Sequence, residues 1–242
     1  MKFDLHIHSC LSPCASLEMS PSAIVERAVA AGMDGIALTD HQSARNTPAI
    51  AECAKRAGLK CLYGLEVCTA EEAHTLALFD TVAQALEMTE WVYAALPKRV
   101  NDPDVFGDQP VVTWDDDIED MEWRILAMGC RKTIPEASEK CRSLDGIYIA
   151  AHIDRPNFSV YSQLGAIPER CFDAVELSRT ADESIWLPKA QGYAVTRSSD
   201  AHNLGDTAKV WTEAEGDDFS VAGLKALFAA KATSISPRLV RF

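Results

Sequence analysis

The chain has six histidines, and each lies in a short segment that also offers a carboxylate or a second imidazole. His6 and His8 form the pair in D-L-H-I-H, and His41 closes T-D-H. His74 sits in E-E-A-H-T, shortly after Glu66 in G-L-E-V. His152 opens A-H-I-D-R-P, and His202 closes S-D-A-H beside Asp200. A lone buried histidine is most often a core residue with its hydrogen bonds satisfied. Six of them, each within or just after a short apolar run such as MKFDL, GIALT, KCLYGL or GIYIAA, point instead to ligation. An H-x-H pair at a strand end puts both rings on one face, because strand side chains alternate. Neutral imidazole with carboxylate is a donor set for transition metals. The chemistry to expect is hydrolysis on a cluster of metal ions.

The elements that must position these residues alternate between strand and helix. Strands are expected at KFDLHI, GIALTD (35–40), KCLYGLEVC (60–68), HTLALF (74–79), GIYIAAH (146–152), AVEL (174–177) and YAVTRSSD (193–200). Short strands follow near 209–214 and 233–236. Ser20-Pro21 starts a helix that Gly32 ends, by the preferences for Ser at the N-cap, Pro in the first turn and Gly at the C-terminus. Further helices are expected over 47–57, 81–95, 134–143 and 220–231. This order implies a mostly parallel sheet. In a parallel α/β barrel, the strand ends are where catalytic side chains are presented. The stretch 97–132 breaks the rhythm, is rich in Asp and Pro, and contains a hairpin-like QPVVTWDDDIEDM. It reads as an insertion or lid over one mouth of a single domain spanning 1–242.

With 242 residues and 48 % apolar content, a continuous core is available. No apolar run is long enough to span a membrane. The chain opens directly on a strand, and its eight cysteines lack an export context. The expectation is therefore a cytoplasmic protein with reduced thiols. The net charge of −13 argues against a nucleic-acid polymer as partner. It leaves room for a small anionic substrate, since clustered metal ions make the mouth locally positive. The five tryptophans are not interleaved with basic residues as in a base-stacking platform. G-x-S-x-G, Walker A and G-x-G-x-x-G motifs are absent.

Taken together, D-L-H-I-H-S, L-T-D-H, G-L-E-V, E-A-H-T-L, A-H-I-D-R-P and S-D-A-H resemble, in order, the motifs of the PHP (polymerase and histidinol phosphatase) family of metal-dependent phosphoesterases. They run from residue 4 to 202. The resemblance implies an α/β fold, a distorted seven-stranded β/α (TIM-like) barrel. It also implies two or three divalent transition metals, zinc, iron or manganese, at the C-terminal strand ends. On this resemblance His6, His8, Glu66 and Asp200 hold one metal. Glu66 bridges to a second held by His74 and His152, and His41 and His202 hold a third. Family members place Asp or His five or six residues beyond the second histidine, whereas Pro13 and Cys14 stand there here. Cys14 is the donor available at that spacing, and a thiolate would favour zinc or iron over manganese or magnesium. The alternative is a thiol that only packs.

A phosphate needs donors beyond the metals, and Arg offers a planar fork. Arg155 follows His152 by three residues, Arg179 follows AVEL, and Arg197 lies in the strand leading to Asp200. Arg155 and Arg179 are the candidate substrate contacts, while Arg197 reads as a structural ion pair. The expected activity is hydrolysis of a phosphate monoester or small nucleotide by a metal-bridged hydroxide, with Arg155 clamping the phosphate. Asp200, His202 or a metal-bound water is the candidate proton donor. Two alternatives share the cluster: an amide or C–N hydrolase, and a non-catalytic metal-binding module.

Overall fold

A computed structural model describes residues 1–190 and 192–239. Its main sheet holds β1 (Lys2–Ile7), β2 (Gly35–Leu38), β3 (Lys60–Cys68) and β4 (His74–Phe79). A small hairpin of β5 (Pro110–Val112) and β6 (Ile118–Met121) comes next in the chain. The main sheet resumes with β7 (Ile147–Ala150), β8 (Ala174–Leu177), β9 (Ala194–Arg197), β10 (Thr212–Ala214) and β11 (Thr233–Ile235). The helices are α1 (Pro21–Ala30), α2 (Thr47–Ala57), α3 (Val82–Tyr93), α4 (Pro103–Phe106), α5 (Ile134–Ser143), α6 (Val160–Leu164), α7 (Glu183–Trp186) and α8 (Val221–Ala230). Their starts follow the sequence signals. Ser20 accepts from Ala23 N at 3.3 Å ahead of Pro21, and Thr133 forms a capping box with Glu136.

The expected barrel is present as a nearly closed α/β sheet with nine strands rather than seven, in the order β11-β10-β1-β2-β3-β4-β7-β8-β9. Of the two extra strands, β10 runs antiparallel to β1, and β11 runs antiparallel to β10. The seam to β9 is closed by side chains: Thr233 Oγ1 donates to Val195 O at 3.0 Å, and Thr212 Oγ1 donates to Arg197 O at 3.0 Å. β4 also departs from the parallel expectation and pairs antiparallel with both β3 and β7. A tight turn, with no helical crossover, joins β3 to β4, so the chain must reverse. The reversal sets His74, first residue of β4, opposite Cys68, last residue of β3. A strand start is thereby delivered to the mouth where the parallel strands end.

Side-chain alternation then sorts the interior. Leu62, Leu76, Leu78, Ile147 and Ile149 fill an apolar core closed by Phe219, Leu224 and Phe228. Glu66 and His74 share the parity of these leucines but lie nearer the mouth. Gly64 lies between Leu62 and Glu66, and any Cβ there would collide with the Ala77 carbonyl. Two further apolar clusters pack α3 and α5, and α1 and α2, against the outside of the sheet. Among the described residues, no helix is long and apolar enough to cross a membrane.

The stretch 97–132 carries the hairpin and leans on the barrel flank. Asn46 Nδ2 donates to Pro110 O at 3.3 Å, and Val112 N donates to Asn46 Oδ1 at 3.0 Å. Arg45 pairs with Asp120 and with the buried Glu122, and Arg56 stacks on Trp114. Lys98 lines a groove with Tyr93, Trp123 and Arg124.

Arg197 is a fully buried guanidinium, so its role is structural. Nη1 reaches Glu183 Oε1 at 2.7 Å and Ser236 O at 2.5 Å, and Nη2 donates to Ala181 O at 3.2 Å. Arg197→Ala leaves these acceptors unpaired beside a cavity, which costs about 3–5 kcal/mol. A denaturation midpoint close to wild type would remove Arg197 from the closure of the barrel.

Candidate metal centre

Every predicted ligand segment ends at one pit. His6 and His8 leave the end of β1, and His41 and Glu66 are bridged between neighbouring strand ends. His152 follows β7, and Asp200 and His202 follow β9. The turns that aim two of them are strained. His152 has φ +25° and Asp200 φ +48°, a region that L-residues rarely occupy. Such backbone persists where surrounding contacts over-determine it, typically at functional sites. Asp4 supplies such contacts, accepting from Ser199 N at 3.0 Å and from Ala208 N at 3.2 Å.

Glu66 is the hub. Its Oε1 lies 2.8 Å from His74 Nδ1, 3.1 Å from His152 Nε2 and 3.4 Å from His6 Nε2. Its Oε2 lies 2.9 Å from His41 Nδ1 and 3.4 Å from His8 Nε2. Asp200 Oδ1 lies 3.2 Å from His8 Nε2 and 3.4 Å from His6 Nε2. His8 and His202 rings have centroids 4.1 Å apart. His6, His8, Glu66, His152 and Asp200 are buried, whereas His202 is partly open.

These residues fit a group of metal ions. Although Glu66 Oε2 and His74 Nδ1 sit within 3 Å of a potential partner, neither makes a hydrogen bond of acceptable direction. Buried polar atoms left this way are rare. Lone pairs converging on a shared point between them, instead of on one another, are what an ion requires. Three overlapping groups have donor atoms within 4.8 Å of one another: His6/His8/Glu66, His41/Glu66/His74 and His8/His41/His202. Overlap of this kind suits a multinuclear site, since one tetrahedral ion takes four ligands.

The tautomers are set from behind. His6 Nδ1 lies 2.9 Å from Glu176 Oε1, which can only accept, so Nδ1 carries the proton and Nε2 faces the pit. Ser12 Oγ donates to Asp40 Oδ1 at 2.7 Å and so accepts from His8 Nδ1 at 3.0 Å. His8 Nε2 is freed in the same way. Asp40 therefore supports His8 through Ser12 without being a ligand itself. Sequence reasoning missed Glu176 and Ser12. The signal for Glu176 was present: a carboxylate inside the apolar strand AVEL, fully buried and also accepting from His152 N at 3.1 Å.

Burial alone would push Glu66 up, but the imidazoles around it, His74, His6 and His41 foremost, hold it well below the usual carboxylate range. Burial pushes His74 down to about 4 against the pull of Glu66, so its ring is neutral and free to ligate near pH 7. Cys14 lies at the rim, an exposed residue whose thiol contacts His202 and His41. Burial of the sulfur acts to raise its pKa, but hydrogen bonds to His202 and then His41 outweigh it and bring it down to about 6.

Arg155 pairs with Asp200 and remains 42 % exposed, so part of its fork is free. Arg179 pairs with Asp206 at 2.5 Å. Both arginines line one cavity of about 580 Å³ together with Asn157, Phe158 and Thr180. Asp154 caps the next loop, accepting from Ser178 N at 2.7 Å. A larger cavity of about 820 Å³ opens at the other end of β1 around Lys2 and Asp34, and no candidate ligand lines it.

Comparison with known proteins agrees with this geometry. A 92-residue stretch is 33 % identical to the PolC-type DNA polymerase III of Oceanobacillus iheyensis, covering 38 % of this chain and 6 % of that protein. The lesion-specific endonuclease PfuEndoQ from Pyrococcus furiosus superimposes with a TM-score of 0.69 at 20 % identity, over 100 % of this chain and 60 % of its own. A candidate metal-dependent phosphoesterase from Bifidobacterium adolescentis gives a TM-score of 0.61 at 18 % identity, over 84 % of this chain and 88 % of that one. This chain thus spans 60 % of the endonuclease and a small fraction of the polymerase. Endonuclease Q is also known in complex with a 27-mer duplex bearing an abasic lesion at the active site, with a TM-score of 0.68 to this chain. That complex corrects the expectation drawn from the acidic net charge. A protein that contains this fold binds duplex DNA, so a charge of −13 does not argue a nucleic-acid polymer away. A PHP domain profile matches residues 4–127, just over half of the chain. With the later ligand segments folded into the same pit, the chain belongs to the PHP domain family of metal-dependent hydrolases.

Proposed function

We propose that this protein is a metal-dependent phosphoesterase that hydrolyses a phosphate monoester or small nucleotide, with duplex DNA retained as a substrate to test. The observation that carries the reading is a buried imidazole–carboxylate cluster linked, by the Arg155–Asp200 pair and the His74–Phe158 stack, to a cavity lined by two arginines. Ions bound there would polarise a phosphoryl oxygen and lower the pKa of a coordinated water. His6, His8, His41, Glu66, His74, His152, Asp200 and His202 would hold two or three ions, with Cys14 as a ninth donor.

The chain's own residues do the rest. Arg155 offers its free donors to nonbridging oxygens, where a charge-assisted fork gains from partial desolvation. Arg179 lines the same cavity, paired with Asp206, and is the second candidate contact for the phosphate. His202 Nδ1 lies 2.9 Å from Asp200 O, which can only accept, so its Nε2 is free to ligate or to pass a proton. His202 is the candidate for protonating the leaving oxygen, because Asp200, despite its burial, is held well below the usual carboxylate range by His6, His8 and Arg155 and so carries no proton to give. The segment 97–132 forms a wall of the single domain beside the His41 loop. The eight unpaired cysteines fit a reducing, cytoplasmic setting.

Phosphate release from aryl phosphate, nucleotides and an abasic duplex, with and without chelator, tests the reading, and a cyclic amide panel runs alongside. Chelator-sensitive phosphate or strand release is expected. Turnover of amides alone would replace the reading with the C–N hydrolase alternative. Cys14→Ser should lower metal content by about one ion per chain, leaving the ions held around Glu66, if the thiolate completes a site with His41 and His202. Unchanged metal content and kinetics would make Cys14 a packing residue.

A further inference from the structure

Phe158 is out of place for a phenylalanine. It is 46 % exposed at the edge of the metal pit, where an aromatic ring forgoes the burial that usually stabilises it. Its backbone is strained as well, at φ +57°. That conformation is held by a specific contact, since His74 N donates to Phe158 O at 2.8 Å and ties the loop to the start of β4. One ring face stacks on the His74 imidazole, with centroids 4.9 Å apart and planes 20° from parallel. Phe158 also lines the 580 Å³ cavity that holds Arg155 and Arg179.

A strained turn that holds an apolar ring in solvent, against a candidate ligand and beside a phosphate clamp, adds little to the packing of the core. We propose that Phe158 is a specificity residue, stacking a planar aromatic leaving group while its phosphate lies at Arg155. This rests on the phosphoesterase reading and narrows it to aryl or nucleobase-bearing esters over alkyl ones. Stacking suits such groups because every aromatic ring or base has a π-face, with no fixed hydrogen-bond pattern required. Asn157 and Thr180 offer polar contacts at the same cavity for ring substituents.

The test uses metal-loaded protein and two non-hydrolysable probes, phenylphosphonate and methylphosphonate, with binding followed by calorimetry. Wild type should prefer the phenyl compound on the order of ten-fold, the scale of one stacked ring. Phe158→Ala should collapse that preference, Phe158→Tyr should keep it, and metal content is measured in all three proteins. The same ratio is read in kcat/KM for phenyl phosphate against glycerol phosphate. An absent preference in wild type, or one that survives Phe158→Ala, overturns the proposal while leaving the phosphoesterase reading intact. If neither phosphonate binds and no phosphate ester turns over, the phosphoesterase reading has failed and this inference falls with it.

Discussion

Glu66→Gln should abolish most turnover and empty the metal pit while the barrel stays folded. The substitution keeps the shape of the side chain and removes its charge. The carboxylate lies within 3.4 Å of five of the six imidazoles, with both oxygens engaged. An amide at the hub replaces an anionic oxygen with an NH₂ that cannot bridge cations. Removing the charged member of a buried, mutually dependent set costs about 3–5 kcal/mol, or two to four orders of magnitude in rate. Steady-state kinetics with elemental analysis of the same sample reads both effects. Melting of the metal-free protein checks that the fold survives. Wild-type metal content in Glu66→Gln would show that the imidazoles hold the ions without this bridge.

Arg155→Ala should lower kcat/KM on phosphate esters by about 2–4 kcal/mol of transition-state stabilisation, roughly 30-fold to 10³-fold. The guanidinium sits between two partners, touching Asp200 on one side and opening onto the cavity on the other. Arg155→Lys separates the two roles. Metal content should be unchanged in both variants, and a lysine, which keeps charge near Asp200 but lacks the planar fork, should recover only part of the catalysis. Kinetics of Arg155→Ala equal to wild type would remove this residue from the substrate site.

Much of the centre is legible in residue types. Histidines that each stand with a carboxylate or a second imidazole at a strand end are placed for ligation. All six do converge on Glu66 and Asp200. The sequence hides what depends on chain direction and on distant partners. β4 looks like any other apolar strand, and only the short turn before it forces the reversal that brings His74 to the mouth. Strands β10 and β11 are expected from the sequence near 209–214 and 233–236, but not their antiparallel pairing at the barrel seam, where side chains of Thr212 and Thr233 help to hold them. Glu176, though visible as a carboxylate inside AVEL, acts through His6, a partner 170 residues away that local sequence does not mark. Net charge misleads most. A sum over the chain says little about the sign of the field in a cleft where cations bind.

These nine donors should hold more than one ion, and the hydrolytic chemistry depends on it. Strip the protein with chelator, confirm that it remains folded, and titrate it with zinc, iron(II) or manganese under elemental analysis. Two or three tightly held ions per chain are expected, with phosphate release returning as the later equivalents bind. Saturation at one ion or fewer for every metal would contradict a multinuclear centre.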